Sequence, residues 1–240
     1  MKLRLDRLLL SRSLVDSREK AQALIMAGEV LVNGQKAAKP GQPVDEDANV
    51  ELLARPLYVS RGGLKLAAAL QHFGVNPAGM VCLDIGASTG GFTDALLQAG
   101  AARVHAVDVG SGQLAWSIRT DARVVVHENL NARELEPDDI GEPVNLLVCD
   151  VSFISATLIL PAAVLLLQPG GQLVILIKPQ FEVGKGQVGK GGIVRDPALH
   201  QAACDKVSKA VQDLGFQTAI MDSPILGVEG NKEFLLYGRR

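Results

Sequence analysis

Five short apolar stretches, each about as long as one strand, alternate with helix-like stretches in the chain that follows Gly63. The five stretches are residues 81–85, 104–109, 124–127, 146–149 and 173–177. This alternation indicates an α/β fold with a parallel sheet covered by helices on both faces, because each crossover returns the chain to the same edge. Ligands of such sheets bind beyond the carboxyl ends of the strands. The residues that follow the five stretches are therefore the first candidates for function.

The first stretch runs directly into a glycine-rich turn that opens a helix. The turn reads Asp84-Ile85-Gly86-Ala87-Ser88-Thr89-Gly90-Gly91-Phe92. Glycine lets the backbone approach a ligand closely, but Ser88 stands at the second glycine position of the dinucleotide fingerprint, so a nucleotide other than NAD is favoured. Asp108 closes the next stretch about twenty residues later, where a carboxylate can accept both hydroxyls of a ribose.

Together, the turn and Asp108 predict S-adenosylmethionine as the cofactor. The predicted contacts are Asp84, Gly86, Ala87, Ser88, Gly90, Gly91, Phe92, Asp108 and Asp150. Glycine-rich turns also occur for purely structural reasons, and that alternative stays open.

Four ionisable residues stand where strands or helices are expected to end near one cleft: Lys65, Asp150, Lys178 and Glu233. Asp150 and Lys178 each follow a strongly apolar run, so their charges emerge at the active edge of the sheet. Charges at a buried edge are costly unless they are paired, and such clusters often mark functional sites. A structural ion-pair network is the alternative for any single pair.

A second glycine-rich stretch, residues 184–192, nearly matches a P-loop but lacks the Ser or Thr after its lysine that would bind magnesium. ATP hydrolysis is therefore not expected. Lys185 and Lys190 of this stretch could instead order around RNA phosphates. A mobile surface loop is the alternative.

The first 44 residues carry a basic excess, with eight Lys or Arg against four Asp or Glu. A polyanion is expected to dock there. Leucines at helical spacing predict a first helix, and Asp16 forms a capping-box-like start with Glu19 for a second helix that ends at Gly28. Short strands at 30–32 and 49–53 follow, and Asn33-Gly34 between them is a strong hairpin-turn signal.

Three strings in this basic part resemble the RNA-binding domain named after ribosomal protein S-four. They are Arg4-Leu5-Asp6, Ser17-Arg18-Glu19-Lys20-Ala21-Gln22 and residues 25–34. The resemblance implies that basic side chains contact RNA, and here it points to Arg4, Arg7, Arg18 and Lys20. Phosphate contacts would supply affinity without reading sequence. A solvated helix face is the alternative.

Five further strings cover the larger part of the chain. They are Ser60-Arg61-Gly62-Gly63-Leu64-Lys65, residues 84–93, Cys149-Asp150-Val151-Ser152-Phe153, Ile177-Lys178-Pro179-Gln180-Phe181-Glu182 and Gly230-Asn231-Lys232-Glu233. Their order and wording resemble the TlyA, or haemolysin A type, family of ribosomal RNA 2′-O-methyltransferases, whose catalytic domain is related to the FtsJ group. The resemblance implies that Lys65, Asp150, Lys178 and Glu233 are the Lys-Asp-Lys-Glu tetrad of that group.

The family resemblance also implies a Rossmann-like class I methyltransferase sheet with a small N-terminal α+β RNA-binding domain. We expect the RNA-binding domain at residues 1–54, a linker at 55–62 and the catalytic domain at 63–240. The implied activity is S-adenosylmethionine-dependent methylation of cytidine 2′-hydroxyls in ribosomal RNA, within a ribosomal subunit.

The chemistry of a ribose 2′-hydroxyl assigns roles to the four ionisable residues. This hydroxyl is a poor nucleophile at neutral pH, so methyl transfer benefits from positioning and from a nearby base. Lys178 is the candidate base, because a partly desolvated lysine beside a second cation can lose its proton near neutrality. Lys65 supplies that cation and holds the target nucleotide, Asp150 orients Lys178, and Glu233 positions one of the two lysines.

Aromatic residues near the proposed cleft have two interpretations each. Phe153 and Phe181 could stack a flipped base or pack in the core. Trp116, beyond Asp108, could cover the adenine or pack.

Composition excludes several other classes of protein. The longest apolar run, residues 158–167, falls short of the roughly 20 residues that cross a bilayer, and the first ten residues lack the apolar core of a signal peptide, so we expect a cytoplasmic protein. Cys82, Cys149 and Cys204 lack metal spacing and are expected to be reduced core residues, with no bound metal. Two rival functions stay open: a membrane-active haemolysin, and a catalytically inactive ribosome-binding protein.

Overall fold

The computed structural model describes residues 2–15, 17–53, 56–227 and 230–240, with the side chain of Lys185 left aside. The chain divides into two compact units, Met1–Pro56 and Leu57–Arg240. Arg55, the first residue of the predicted linker, lies outside the described residues. The first helix of the second unit begins at Gly62.

Short helices and strands alternate in the described part of the N-terminal unit. They are β1 (Lys2–Arg4), α1 (Leu5–Ser11), α2 (Arg18–Met26), β2 (Val30–Val32), β3 (Gln35–Lys36), β4 (Pro43–Asp45) and β5 (Val50–Leu52). β1 pairs antiparallel with β4, while β2 lies between β3 and β5 in an antiparallel sheet. Leu5, Leu8, Leu9 and Ile25 of the helices form a buried cluster with Val30 of β2.

The structure confirms the predicted hairpin and second helix of this unit. Asn33 and Gly34 have φ angles of +50° and +79°, the left-handed pair that a two-residue hairpin turn requires, and they join β2 to β3. α2 begins after Ser17, whose hydroxyl accepts a hydrogen bond from the Lys20 backbone N–H at 3.2 Å. The predicted cap at Asp16 lies outside the described residues.

The second unit contains a sheet flanked by helices. Its described strands are β6 (Val81–Ile85), β7 (Arg103–Asp108), β8 (Val124–Glu128), β9 (Val144–Cys149), β10 (Leu167–Ile177), β11 (Gln217–Asp222) and β12 (Phe234–Arg239). Its described α-helices are α3 (Gly62–Phe73), α4 (Gly91–Gln98), α5 (Trp116–Arg119), α6 (Pro137–Ile140), α7 (Leu160–Ala163), α8 (Pro179–Glu182) and α9 (Pro197–Asp213). The five predicted strands are all present, as β6 to β10.

The strand order of this sheet is β11-β12-β10-β9-β6-β7-β8, and β12 runs antiparallel to both of its neighbours. The other pairs are parallel, so the expectation of a parallel sheet is corrected at β12. Because β12 is reversed, its first residue lies at the same edge as the carboxyl ends of the parallel strands. Residues that follow β6, β9 and β10 therefore meet the residue that precedes β12.

Two apolar layers cover the two faces of the sheet. Along β6, Leu83 and Ile85 belong to one layer and Cys82 to the other, as the alternation of side chains in a strand requires. Cys82, Cys149 and Cys204 are buried free thiols, which confirms their prediction as reduced core residues. Within the described ranges, no helix is long and apolar enough to span a bilayer.

Candidate active site

The loop after β6 is held against the neighbouring strand by its own backbone. The N–H groups of Gly86 and Ala87 both donate to the Val107 carbonyl oxygen, at 2.9 and 3.1 Å. Gly86 has a φ of +81°, and a Cβ on it would lie 2.4 Å from the Asp150 carbonyl oxygen. Only glycine therefore fits where the ends of β6 and β9 meet.

Asp108 is fixed by the same loop. Ser88 takes a left-handed φ of +48°, which is uncommon for a residue with a side chain. Its backbone N–H donates to Asp108 Oδ2, and the Gly110 N–H donates to Asp108 Oδ1, each at 2.7 Å. A carboxylate has about four lone-pair sites, so Asp108 can still accept hydrogen bonds from a ligand.

Asp84, in β6, is a completely buried carboxyl group. Burial raises its pKa to about 7; a hydrogen bond from Thr93 opposes the rise, and the negative charge of Asp150 adds to it. The Thr93 hydroxyl donates to Asp84 Oδ2 at 2.6 Å, whereas no described residue donates to Oδ1. A buried carboxylate is costly unless it is paired or hydrogen-bonded, so burial favours the protonated form of Asp84.

The structure joins the four predicted ionisable residues into two ion pairs. Lys65, in the first turn of α3, lies with its Nζ 2.5 Å from Glu233 Oε2, and both side chains are buried. Lys178 Nζ lies 2.6 Å from Asp150 Oδ1. Glu233 therefore pairs with Lys65 and not with Lys178.

Ser152 also contacts Lys178, although sequence reasoning assigns it no role. Lys178 Nζ donates to the Ser152 hydroxyl at 2.8 Å. Lys178 Nζ thus has two contacts on the segment that follows β9, an ion pair with Asp150 and a hydrogen bond to Ser152. The available signal was that Ser152 stands two residues after Asp150 in the same string.

The two ion pairs line one cavity of about 480 Å³. A second cavity, of about 580 Å³, extends past Asp108 along the segment that follows β8. Four residues line both cavities: Gly86, Ser88, Asp150 and Ser152. The two spaces therefore meet at the carboxyl ends of β6 and β9.

The residues predicted to bind the cofactor occupy three kinds of position. Gly86, Ala87, Ser88, Gly91, Phe92 and Asp150 line the smaller cavity, and Asp108 lines the larger one. Gly90 lines neither cavity, because it faces Leu114 and Ile118 in the packing of the loop. Asp84 lines neither cavity because it is buried within the sheet.

Phe153 borders the larger cavity and does not pack in the core. It is 92% exposed and has a left-handed φ of +67°. Its ring centre lies 5.3 Å from that of Phe181. Exposure excludes the core-packing alternative for Phe153 and leaves an aromatic face open beside the site. Trp116 is likewise 77% exposed.

Two of the predicted RNA-binding arginines are organised by one buried acid in the N-terminal unit. Asp6 is fully buried and accepts hydrogen bonds from Arg4 at 2.9 and 3.1 Å, from Arg18 at 3.0 Å and from Gln22 at 3.1 Å. The hydrogen bonds from Arg4 hold the pKa of Asp6 well below its usual range. The guanidinium groups of Arg4 and Arg18 remain partly exposed. The remaining candidates, Arg7 and Lys20, are exposed.

The second glycine-rich stretch forms two short 3₁₀ turns rather than a P-loop, since the next α-helix begins only at Pro197. Asn231 ties it down by donating to the Gly192 carbonyl and accepting from the Val194 N–H, each at 2.9 Å. Lys190 is exposed, and the side chain of Lys185 is outside the described part.

Both units of the chain match known protein families. A model of FtsJ-like methyltransferases matches residues 58–240, and a model of the S4 domain matches residues 3–50. The 16S/23S rRNA (cytidine-2′-O)-methyltransferase TlyA of Mycobacterium tuberculosis is 48% identical over 239 residues, which cover 98% of this chain and 89% of that protein. Hemolysin A of Brachyspira hyodysenteriae is 42% identical over 98% of this chain and 99% of its own length.

A solved structure agrees with these matches. A candidate hemolysin from Streptococcus thermophilus is 45% identical and superposes with a TM-score of 0.76, covering 100% of this chain and 88% of that one. The fold and the site thus define a Rossmann-like methyltransferase. The chain belongs to the FtsJ-like methyltransferase family and, within it, to the TlyA group that carries an N-terminal S4 domain.

Proposed function

We propose that this enzyme transfers a methyl group from S-adenosylmethionine to the 2′-hydroxyl of a cytidine in ribosomal RNA. The observation that carries the proposal is the junction of the two cavities at Gly86, Ser88, Asp150 and Ser152. A donor along the glycine-rich turn and a ribose beside Lys178 would meet at this junction. The name of the Mycobacterium tuberculosis relative supports the choice of target.

The residues along the glycine-rich turn fit S-adenosylmethionine. Gly86 lines both cavities, and Asp108 retains lone pairs for the ribose hydroxyls. Asp84 lies behind the turn, where the Thr93 hydroxyl of α4 donates to its Oδ2 at 2.6 Å, so it would support the turn rather than contact the cofactor. When bound, this cofactor supplies an electrophilic methyl group on a sulfonium.

Lys178 is the base in this proposal. Asp150 and Ser152 hold its Nζ from one segment, at 2.6 and 2.8 Å. Once the Lys178 ammonium has released a proton to solvent, the lone pair of its Nζ would accept the proton of the 2′-hydroxyl. Lys65, held by Glu233 at 2.5 Å, would contact the target nucleotide as a cation. A base and a fixed cation around one ribose supply both proton transfer and positioning.

The exposed ring of Phe153 supplies a stacking surface for the target base. Enzymes that extrude a nucleotide from its stack commonly hold the base against an aromatic side chain. Phe153 is 92% exposed and borders the cavity that contains Asp108. It is therefore the aromatic residue that we assign to this role.

The N-terminal unit would supply RNA affinity through Arg4, Arg7, Arg18 and Lys20. Phosphate contacts by such residues orient a nucleic acid without reading its sequence. Lys185 and Lys190 of the catalytic unit would add further phosphate contacts. We place the enzyme in the cytoplasm and its substrate in a ribosomal subunit, since the proposed target is ribosomal RNA.

Mapping of 2′-O-methyl groups in ribosomal RNA tests this proposal. We expect at least one cytidine to lose its 2′-O-methyl group when the gene is deleted, and to regain it with the wild-type gene but not with Lys178→Ala. Identical cytidine methylation in the deleted and parental strains would refute the proposal. Liposome leakage with pure protein tests the rival haemolysin function, and we expect no leakage.

A further inference from the structure

Glu182 is a buried acid that the proposed reaction leaves without a role. It is the last residue of α8 and follows Lys178 by four positions, and its side chain is 3% exposed. Its Oε2 accepts a hydrogen bond from the Ser155 hydroxyl at 2.5 Å, and its Oε1 accepts one from the Ala156 N–H at 2.8 Å. Lys206 of α9 lies 3.0 Å from Oε2.

These contacts join the two segments that form the site beside Lys178. The segment after β9 contains Ser152, Phe153 and Ser155, and the segment after β10 runs from Lys178 to Glu182. The two meet at three levels: Lys178 donates to Ser152 at 2.8 Å, Phe153 lies 5.3 Å from Phe181, and Glu182 accepts from Ser155 at 2.5 Å. Among the residues that make these three contacts, only Glu182 is buried.

Val151 and Ile154 of the segment after β9 pack against the core, but its tip at Phe153 does not. Phe153 has a left-handed φ of +67° and is 92% exposed, so neither a glycine-like backbone nor core packing holds it in place. Residues 151–155 form no helix or strand. The anchor that follows them in the chain is the pair of hydrogen bonds from Ser155 and Ala156 to Glu182.

We propose that Glu182 is a positioning residue, whose carboxylate fixes the 151–157 segment so that Phe153 and Ser152 keep their places relative to Lys178. This inference rests on the proposed function for its catalytic consequence, but the clamp itself is a statement about geometry. A buried charge that served stability alone could be replaced by apolar packing at little cost. Here its partners all lie on other segments of the site or on α9.

The clamp can be opened by variants with a matched control. Glu182→Gln keeps the shape of the side chain and removes its charge, and Ser155→Ala removes one contact while leaving the Ala156 N–H in place. Lys209→Met is the control on α9, because Lys209 pairs with Asp213 where both side chains are largely exposed. Ser155→Ala also decides the question should Glu182→Gln fail to fold.

The first measurement is steady-state methyl transfer to purified ribosomal subunits. We expect kcat to fall roughly tenfold to a hundredfold in Glu182→Gln, because small misplacements in an active site have effects of this size. KM for the subunits should stay within about twofold, since phosphate contacts supply most of the affinity. Lys209→Met should match the wild-type enzyme. An unchanged kcat in both Glu182→Gln and Ser155→Ala would overturn the proposal.

The second measurement does not depend on activity. The sequence has a single tryptophan, Trp116, so Trp116→Phe combined with Phe153→Trp places one fluorescent reporter in the segment. Time-resolved anisotropy reports motion on the nanosecond scale, and adding Glu182→Gln should raise the amplitude of its fast component about twofold. Unchanged anisotropy would overturn the clamp even if kcat fell. If Glu182→Gln raises mobility and the wild-type protein does not methylate ribosomal subunits, the clamp is supported and the proposed function is refuted.

Discussion

At the scale of single residues, the site combines buried charges whose burial has measurable consequences. Asp84 is the clearest case, because burial raises its pKa from the ordinary range of an aspartate to about 7. Its protonated form is favoured in the folded protein. The stability that Asp84 contributes is therefore fully present below pH 4 and is lost as pH rises through 7.

This reasoning predicts a difference in pH dependence between the wild type and Asp84→Asn. Between pH 4 and 7, the free energy of unfolding of the wild type should fall relative to that of the variant, by up to about 4 kcal/mol if the full shift is realised. Urea denaturation at several pH values measures this difference. The contributions of the other titrating groups cancel because both proteins contain them. Parallel curves for the two proteins would show that Asp84 has an ordinary pKa.

At the scale of elements, the N-terminal unit uses a buried acid to hold two cations in place. Asp6, in α1, accepts from Arg4 of β1 and Arg18 of α2. The hydrogen bonds restrict two long side chains before any RNA is bound. Preorganisation of this kind reduces the entropy cost of binding.

This arrangement predicts an effect opposite to that of charge alone. Asp6→Asn makes the unit more basic, yet we expect its affinity for ribosomal RNA to fall several-fold, because Arg4 and Arg18 lose their shared anchor. Asp47→Asn is the control, since it makes the same charge change at an exposed carboxylate. Filter binding at fixed salt distinguishes the two variants. Tighter binding by both would mean that charge, and not preorganisation, decides the affinity.

Some strands of the protein can be predicted from the sequence and others cannot. Residues 81–85 were predicted at their observed bounds because an uninterrupted apolar run ends at a glycine turn. The β1–β4 pair carries no signal, since three-residue strands, one of them starting with Pro43, are too short for a period to show. The reversed direction of β12 is also invisible, because strand direction depends on pairing between distant segments.

The candidate site, like the fold, is predictable from the sequence only in part. The identities of Lys65, Asp150, Lys178 and Glu233 follow from their strings, but which lysine Glu233 pairs with does not. Lys65 and Glu233 are 168 positions apart, and only the strand order brings them together. Glu182 gave no signal of its own, since its partners lie on segments that sequence reasoning does not align.

At the scale of the whole molecule, the two units divide the work of the proposed reaction. The first 44 residues hold eight of the 24 basic residues of the chain and four of its 26 acidic ones, which suits a unit that binds a polyanion. The catalytic unit holds the two ion pairs and the glycine-rich turn. Changes at Lys178 should therefore affect methyl transfer without affecting RNA binding.

Methyl transfer by Lys178 variants tests the central claim most directly. Ribosomal subunits from a strain that lacks the gene are incubated with labelled S-adenosylmethionine and pure enzyme, with Lys209→Met as the control at an exposed lysine. We predict that Lys178→Ala lowers the rate at least roughly a hundredfold while RNA and cofactor affinities are retained. Lys178→Arg should recover little, because a guanidinium keeps its proton. Near wild-type turnover by Lys178→Arg would contradict the assignment of Lys178 as the base.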